Sequence, residues 1–411
     1  MKDSFITNIF VKNSRNIKDL QIALSKEQRQ HLIITGKNGS GKTSLLLEIN
    51  KHLQHIDSLN FNTYDSKLKE IQNTQKQLNR PDLTDSNKVF HERKLKEINE
   101  WLIGFGGTSI EFSNTREMLL DEFEQGKFIL AFFDSRRHAS LIAPRGINKI
   151  ELKRRYGLNE RVNSNFLQYI VNLKADRSFA KDDNEEDVVR KIDEWFEKFE
   201  RSLKLIFNVD KLQLKFNRNA YNFDIVINDK EIFGFDKLSD GYSAIISIIT
   251  ELILRMDAND IKSYDLEGIV IIDEIETHLH VDLQKKILPF LTDFFPKLQF
   301  IVTTHSPFVL SSLSNAKICD LETKVQTTDL SGYSYDALIE SYFESDKYSD
   351  ILKNKIKEFE ELLRKQSLTQ NDEIKKSKLK EYLFDLPKYL SKELYSKLLD
   401  IEINYLTKNN E

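Results

Sequence analysis

One stretch near the start of this chain constrains its fold more than any other, Thr35-Gly-Lys-Asn-Gly-Ser-Gly-Lys-Thr43. It has the spacing G-x-x-x-x-G-K-[ST], it follows the short apolar run at 32–34, and helix-forming residues 44–49 come next. Phosphate oxygens need several converging N–H donors and a cation, and a glycine-rich turn that opens a helix supplies the donors. An accidental glycine turn is the alternative, but the strand before the turn and the helix after it argue against that interpretation. The stretch therefore predicts a nucleotide phosphate site.

Each residue of the loop has an expected role. Lys42 would reach the β- and γ-phosphates, and Thr43 would bind Mg²⁺ through its hydroxyl. The sequence thus predicts ATP and Mg²⁺ as cofactors. The remaining nucleotide-binding positions of the loop are Gly36, Asn38, Gly39, Ser40 and Gly41. The next position, Ser44, is included in the site with an unknown role.

Two later apolar runs end in polar residues that suit the same chemistry. Residues 268–272 are rich in β-branched residues, as in a buried parallel strand, and they lead into Asp273 and Glu274. Asp273 would hold Mg²⁺ together with Thr43 or through water, and Glu274 would orient and deprotonate the attacking water. A second buried strand at 300–304 leads to His305, which is placed to sense the γ-phosphate.

A third anion site is indicated at the segment Ser239-Asp240-Gly241, which begins a long apolar helix. Free N–H groups and the positive end of the helix dipole favour an anion there. Taken alone, the segment is an ordinary helix cap. Its occurrence with the phosphate loop and the acidic pair favours the phosphate-binding interpretation.

Composition excludes some classes of protein. The chain has 411 residues, a net charge of −4 and 31% charged residues, so no overall basic field favours nucleic acid, and any DNA surface must be local. No apolar run approaches the roughly 18 residues that a membrane span needs, and the first residues have no secretory pattern. We therefore expect a soluble cytoplasmic protein without a membrane partner.

Shifts in composition suggest five regions. The predicted boundaries are 1–50 for the N-terminal part of the head with the phosphate loop, 51–103 for a helical-hairpin insertion, 104–235 for sheet strands and a helical subdomain, 236–320 for the second nucleotide-site lobe, and 321–411 for a C-terminal helical region. The hairpin could equally be a solvated insertion, and the C-terminal region could be a solvated surface or a protein-docking face.

The loop 134–138 follows the apolar strand 127–133, and ligands of open α/β sheets bind at the carboxyl ends of strands. Arg136 or Arg137 could therefore reach a phosphate or a partner. Solvated arginines are an equally good interpretation.

Taken together, these motifs resemble the ATP-binding-cassette ATPases of the SMC, RecF and OLD-like group. The phosphate loop, the signature Leu238–Tyr242, the Walker B strand ending at Glu274 and the switch His305 occur in the family's order over about residues 1–320. The signature reads Ser-Asp-Gly-Tyr where many cassette proteins have Ser-Gly-Gly-Gln. The resemblance implies an α/β fold with a β lobe, a RecA-like parallel sheet flanked by helices, a short helical hairpin, a helical subdomain and a C-terminal helical appendix.

The resemblance also implies further site residues. Ser239, Asp240 and Gly241 would contact the γ-phosphate of ATP held by a second copy, so that two nucleotides are buried between two protomers. The Q-loop glutamine, which would add a metal ligand, is assigned to Gln168. A glutamine that only packs within a helix is an equally good interpretation of that position.

No acidic cluster of the kind carried by the nuclease domain of the OLD family is found in the sequence. A compact ATPase of this kind resembles the ATPase components of the anti-phage systems Septu and PARIS. The expected function is an ATPase that controls a partner effector such as a nuclease. The alternative is a RecF- or SMC-like ATPase of DNA repair or chromosome maintenance that acts on DNA directly.

Overall fold

The computed structural model describes residues 3–58, 61–104, 108–137, 139–257, 264–338, 350–365 and 367–384, with the single positions 396 and 399. The chain divides into two compact units, Met1–Tyr333 and Ser334–Glu411. The predicted C-terminal region begins earlier, at 321. Residues 339–349, 385–395 and 400–411 of that region lie outside the described residues.

The strands of the described residues, in chain order, are β1 Ile6–Ser14, β2 Ile17–Ala23, β3 His31–Thr35, β4 Thr108–Phe112, β5 Phe128–Phe133, β6 Leu212–Asn217, β7 Asn222–Ile227, β8 Glu231–Gly234, β9 Glu267–Ile272, β10 Leu298–Thr303, β11 Ala316–Asp320 and β12 Gln326–Thr328. The α-helices are α1 Lys42–Asp57, α2 Phe61–Leu78, α3 Asp85–Gly104, α4 Arg116–Glu124, α5 Phe166–Asp182, α6 Glu186–Phe207, α7 Asp240–Asp257, α8 Val281–Phe294, α9 Pro307–Leu310, α10 Tyr335–Ala337, α11 Asp350–Arg364 and α12 Gln370–Phe384.

The central sheet has the order β12-β11-β3-β10-β9-β5, and all its neighbours except the pair β11–β12 are parallel. Strands β3, β5 and β10 are buried at every position, as expected of parallel strands covered on both faces. Since parallel strands end at the same edge, β3, β9 and β10 bring the residues that follow them to one place. The sheet thus positions the candidate site.

Two antiparallel sheets accompany the central one. β1 pairs with β2 and β4 to form the N-terminal β lobe, and the second small sheet has the order β6-β7-β8. Helices α5 and α6 lie next to each other and contact the second sheet. The predicted fold class, α/β with a β lobe and a parallel sheet, is confirmed.

The insertion after α1 is a pair of adjacent helices, α2 and α3, joined by residues 79–84. The turn contains Pro81, which cannot donate a helical hydrogen bond and ends the first helix. No helix in the described part of the chain has the length and apolarity that crossing a membrane requires.

The second unit contains α10, α11 and α12. Apolar side chains of α11 and α12 form a separate small core, consisting of Ile356, Phe359, Leu362, Leu363, Leu379 and Leu383. One segment of the predicted C-terminal helical region differs from that prediction: Gln326–Thr328 is a strand that pairs with β11 in the first unit.

Candidate active site

The loop between β3 and α1 has the backbone of an anion cradle. Gly36, Gly39 and Gly41 have φ angles of 135°, 84° and 103°, which side chains disfavour. A Cβ on Gly36 would also lie 2.8 Å from Oγ of Ser40. Helix α1 begins at Lys42, and the residue at its N-cap, Gly41, has no side chain that could bond the first N–H groups of the helix. The first N–H groups of α1 have no partner within the helix, which suits a phosphate.

Lys42 is buried and folds back over this loop. Its Nζ donates to the carbonyl oxygens of Gly36 at 2.8 Å and Lys37 at 3.1 Å. Burial lowers the pKa of Lys42, and nearby carboxylates oppose that shift, Glu274 most strongly. The ammonium group is therefore close enough to the acids that follow β9 to interact with their charge. The other loop positions, Asn38 and Gly39, are exposed.

Thr43 and Asp273 meet although 230 residues separate them. The Thr43 hydroxyl donates to Oδ2 of Asp273 at 3.0 Å. A hydroxyl and a carboxylate are hard oxygen donors of the kind that Mg²⁺ prefers. These two side chains thus fit a Mg²⁺ ion, as the sequence predicts.

The position after Thr43 is Ser44, whose role the sequence leaves open. The half-buried Ser44 accepts a hydrogen bond of 3.4 Å from Nη1 of Arg15, in the turn between β1 and β2. Its hydroxyl therefore contacts the β lobe, whereas the hydroxyl of Thr43 contacts Asp273.

Thr303, at the end of β10, connects the two acidic residues. Its hydroxyl donates to Oδ1 of Asp273 at 2.6 Å and accepts from the backbone N–H of Glu274 at 2.7 Å. The sequence interpretation missed this residue. The signal was the register, because Val302 pairs with Ile272 and the next residues of both strands therefore lie side by side.

Glu274 itself has a φ of 46°, a left-handed conformation that a non-glycine residue adopts at a cost. Its carboxylate accepts a hydrogen bond of 3.3 Å from the hydroxyl of Thr277 and is partly exposed. The carboxylate is therefore open to a water molecule.

His305 follows β10 and is held through its backbone, because its N–H donates to Oε1 of Glu276 at 2.6 Å. Burial and the charge of Lys42 lower the pKa of His305, and Glu276, Glu274 and Asp273 oppose the shift. Among the described residues, Oε2 of Glu276 and the hydroxyl of Ser40 are buried and have no hydrogen-bond partner. Such unsatisfied polar atoms are consistent with a polar ligand at this edge.

The predicted signature lies at the start of α7. Ser239 and Asp240 are exposed, whereas Gly241 is buried. A Cβ on Gly241 would lie 2.6 Å from the carbonyl oxygen of His278, so glycine is needed there for close approach within the chain itself.

Gln168, assigned from the sequence as a metal ligand, lies in α5, where its amide nitrogen contacts residues outside the phosphate loop and the acidic segment. Its amide donates to the carbonyl of Gly146 at 2.9 Å and to Oδ1 of Asn172 at 3.1 Å. The amide therefore serves the packing of α5 against a neighbouring loop, which is the alternative that the sequence left open.

Arg137 points into the protein and is not one of the solvated arginines that the sequence allowed. It is buried, and its guanidinium donates to backbone carbonyls after β9, while Arg136 is exposed. Sequence alone could not separate the two arginines, because they are adjacent and chemically identical.

Comparison with known proteins agrees with this geometry. Residues 150–311 match the family described as "AAA domain, putative AbiEii toxin, Type IV TA system". The chain is similar to the Septu protein PtuA of Bacillus mycoides, with 26% identity over 78% of this chain and 41% of that protein. It is also similar to "Retron Vc95 probable ATPase" of Vibrio cholerae, with 25% identity over 72% of this chain and 70% of that protein. The chain thus spans about two fifths of the length of the Bacillus mycoides relative.

Among solved structures, the SMC head domain from Thermotoga maritima aligns over 77% of this chain and 94% of its own length, with 12% identity and a TM-score of 0.35. The predicted resemblance to a protein of the Septu system is confirmed by the similarity to PtuA, and the Vibrio cholerae relative is itself described as a probable ATPase.

Proposed function

We propose that this ATPase-like chain binds and hydrolyses Mg²⁺–ATP at the edge formed by β3, β9 and β10. The observation that carries the proposal is the convergence of Lys42, Thr43, Asp273 and Glu274, which come from distant parts of the sequence. Phosphoryl transfer to water depends on positioning and charge neutralisation more than on covalent chemistry, and these groups supply both.

Each of these residues has its own role in ATP binding or hydrolysis. The loop N–H groups and the Lys42 ammonium hold the β- and γ-phosphates, and Thr43 and Asp273 hold Mg²⁺, which neutralises phosphate charge when bound. The Glu274 carboxylate orients and deprotonates the attacking water, and His305 lies where it can sense the γ-phosphate.

We further propose that two copies close on two nucleotides. The exposure of Ser239 and Asp240 at the start of α7 supports this, because both side chains are open to a second molecule. ATP would add contacts that the ADP state lacks, and such differential contacts shift an assembly equilibrium. The Glu274→Gln variant should therefore bind ATP and accumulate as a dimer in light scattering, and the Lys42→Ala variant should not bind. Hydrolysis at the wild-type rate by Glu274→Gln would refute the assignment of the base.

Mixing two inactive variants tests the shared site directly. Lys42→Ala lacks a working phosphate loop, and Ser239→Arg places a bulky cation where the partner's nucleotide would lie. In a mixed dimer, the intact phosphate loop of the Ser239→Arg protomer meets the intact signature of the Lys42→Ala protomer. One of the two active sites is therefore restored. Random mixing of equal amounts should recover about a quarter of wild-type ATPase activity in a two-fold dimer. No recovery, with both variants folded, would refute the shared site.

We propose that the ATPase acts in anti-phage defence and controls an effector protein such as a nuclease. The similarity to the Septu protein supports this proposal. Exposed apolar side chains on the second unit, Ile351 and Ile374, support a docking role for its helices. The test is co-purification of a neighbouring-gene product with the full chain, with Ile374→Glu expected to weaken it and the exposed-surface variant Lys378→Glu as control. ATPase activity that DNA stimulates strongly, and that salt suppresses, would favour the DNA-repair alternative instead.

A further inference from the structure

Arg137 makes a set of contacts that the proposed ATP chemistry does not explain. One guanidinium nitrogen donates to the carbonyl oxygens of Asp273 at 2.7 Å and Asp134 at 3.0 Å. The other donates to the carbonyls of Glu274 at 2.8 Å and Ile275 at 2.9 Å. A single buried side chain therefore holds three consecutive carbonyls of the segment that carries the acidic pair.

One of the residues that Arg137 contacts, Glu274, has a strained backbone conformation. Glu274 has a φ of 46°, and a strained residue persists only where its surroundings fix it. The N–H of Glu274 is fixed by the Thr303 hydroxyl, and its carbonyl is fixed by Arg137. Without the arginine, this carbonyl would keep only the hydrogen bond of 2.9 Å from the N–H of Thr277, and the direction of the carboxylate would be less well fixed.

The segment that carries Arg137 also reaches the start of α7. The N–H of Ala139 donates to Oγ of Ser243 at 3.0 Å, in the first turn of that helix. Farther along α7, the buried Arg255 donates to the carbonyl of Leu130 in β5 at 2.6 Å and pairs with Glu251 at 2.8 Å. Helix α7 is thus bonded both to β5 and to the residues that follow it.

We infer that Arg137 is a positioning residue for Glu274, and that its segment makes the orientation of Glu274 depend on the position of the α7 start. The inference rests on the proposed function, because the α7 start is where the partner's nucleotide would bind. A contact made there by a second copy would then be transmitted to the hydrolytic carboxylate through Ser243, Ala139 and Arg137. With this arrangement, a change at Arg137 would affect ATP hydrolysis separately from ATP binding.

The test compares two arginine substitutions in the full chain. Arg137→Lys keeps the charge but loses the planar fork that reaches several carbonyls. We expect kcat to fall about 100-fold, the size of effect that a misplacement of about 1 Å produces. The affinity for a non-hydrolysable ATP analogue should stay within about threefold, because the phosphate loop is untouched. Arg161→Lys is the matched control, because Arg161 binds the carbonyl of Phe132 in β5 but not the acidic segment, and its kcat should change less than about twofold.

A milder variant tests the link to α7. Ser243→Ala removes only the acceptor for Ala139, and we expect a severalfold fall in kcat with unchanged analogue binding. If the two residues act along one path, the double variant Arg137→Lys, Ser243→Ala should be no slower than Arg137→Lys alone. Additive losses, or full kcat in Ser243→Ala, would overturn the link.

The outcome for Arg137 is separate from that for the proposed function. Unchanged kcat in Arg137→Lys, or a loss confined to analogue affinity, would overturn its positioning role while wild-type hydrolysis still stands. A wild-type protein that binds the analogue but never hydrolyses ATP would refute the proposed function itself. Urea unfolding of every variant identifies those that fail to fold. If Arg137→Lys fails to fold, the kcat of Ser243→Ala is the deciding measurement.

Discussion

Removing one hydroxyl should separate the contribution of Thr303 from that of the surrounding strands. Thr303→Val preserves the branched shape of the side chain but deletes the group that bonds both acidic residues. Two interactions are lost, the bond of 2.6 Å to the Asp273 carboxylate and the bond of 2.7 Å from the N–H of Glu274. Thr303 is fully buried, so water cannot replace its hydroxyl without entering the sheet edge.

The expected magnitude follows from these two bonds. A buried N–H left without an acceptor costs about 1–3 kcal/mol, and a hydrogen bond to a charged group contributes about 1.5–3 kcal/mol. The two effects share one residue and are partly compensated by relaxation, so we expect a loss of about 2–4 kcal/mol in the free energy of unfolding. The valine adds no cavity of consequence.

The neighbouring strand offers a matched control. Thr35 ends β3, is equally buried, and its hydroxyl has no hydrogen-bond partner among the described residues. Thr35→Val should therefore leave stability unchanged or raise it, because it removes an unsatisfied polar group. Urea unfolding followed by tryptophan fluorescence measures both variants. Equal stability of Thr303→Val and Thr35→Val would refute the reasoning.

Three further outcomes are expected. Burial lowers the pKa of His31 to about 4 and that of His52 to about 3, so only the unfolded chain gains protons on them as pH falls below 6.5. The free energy of unfolding should then decrease by about 3 kcal/mol per histidine between pH 6.5 and 4, and urea titrations that are flat over this range would contradict it. Gly241→Ala should destabilise the chain even without nucleotide, because its Cβ meets the carbonyl of His278; an unchanged melting temperature would count against this. Gln168→Ala should leave the Mg²⁺ dependence of ATP binding as in the wild type, and a weakened Mg²⁺ response would restore the ligand role predicted from sequence.

The extent of sequence prediction differs from residue to residue. The glycine loop was predictable because its chemistry depends on neighbours in the chain, and two of its three positive-φ glycines, Gly36 and Gly41, occupy the positions that the motif requires. The strand identities were predictable for the same reason, since continuous β-branched runs suit a sheet buried on both faces. The contacts of Gln168 could not be predicted, because tertiary packing decides which groups a side-chain amide on a helix meets.

The sequence by itself thus determined the fold class and the residue types that could handle a phosphate, since both are encoded in spacing over a few residues. Tertiary structure alone decided how those residues are held. Thr303 meets Asp273 only because β9 and β10 are in register, and Arg137 reaches the carbonyls of a segment 136 or more residues away. Such bonds join side chains to distant backbone groups, and backbone groups are the same at every position, so the local sequence carries no mark of them.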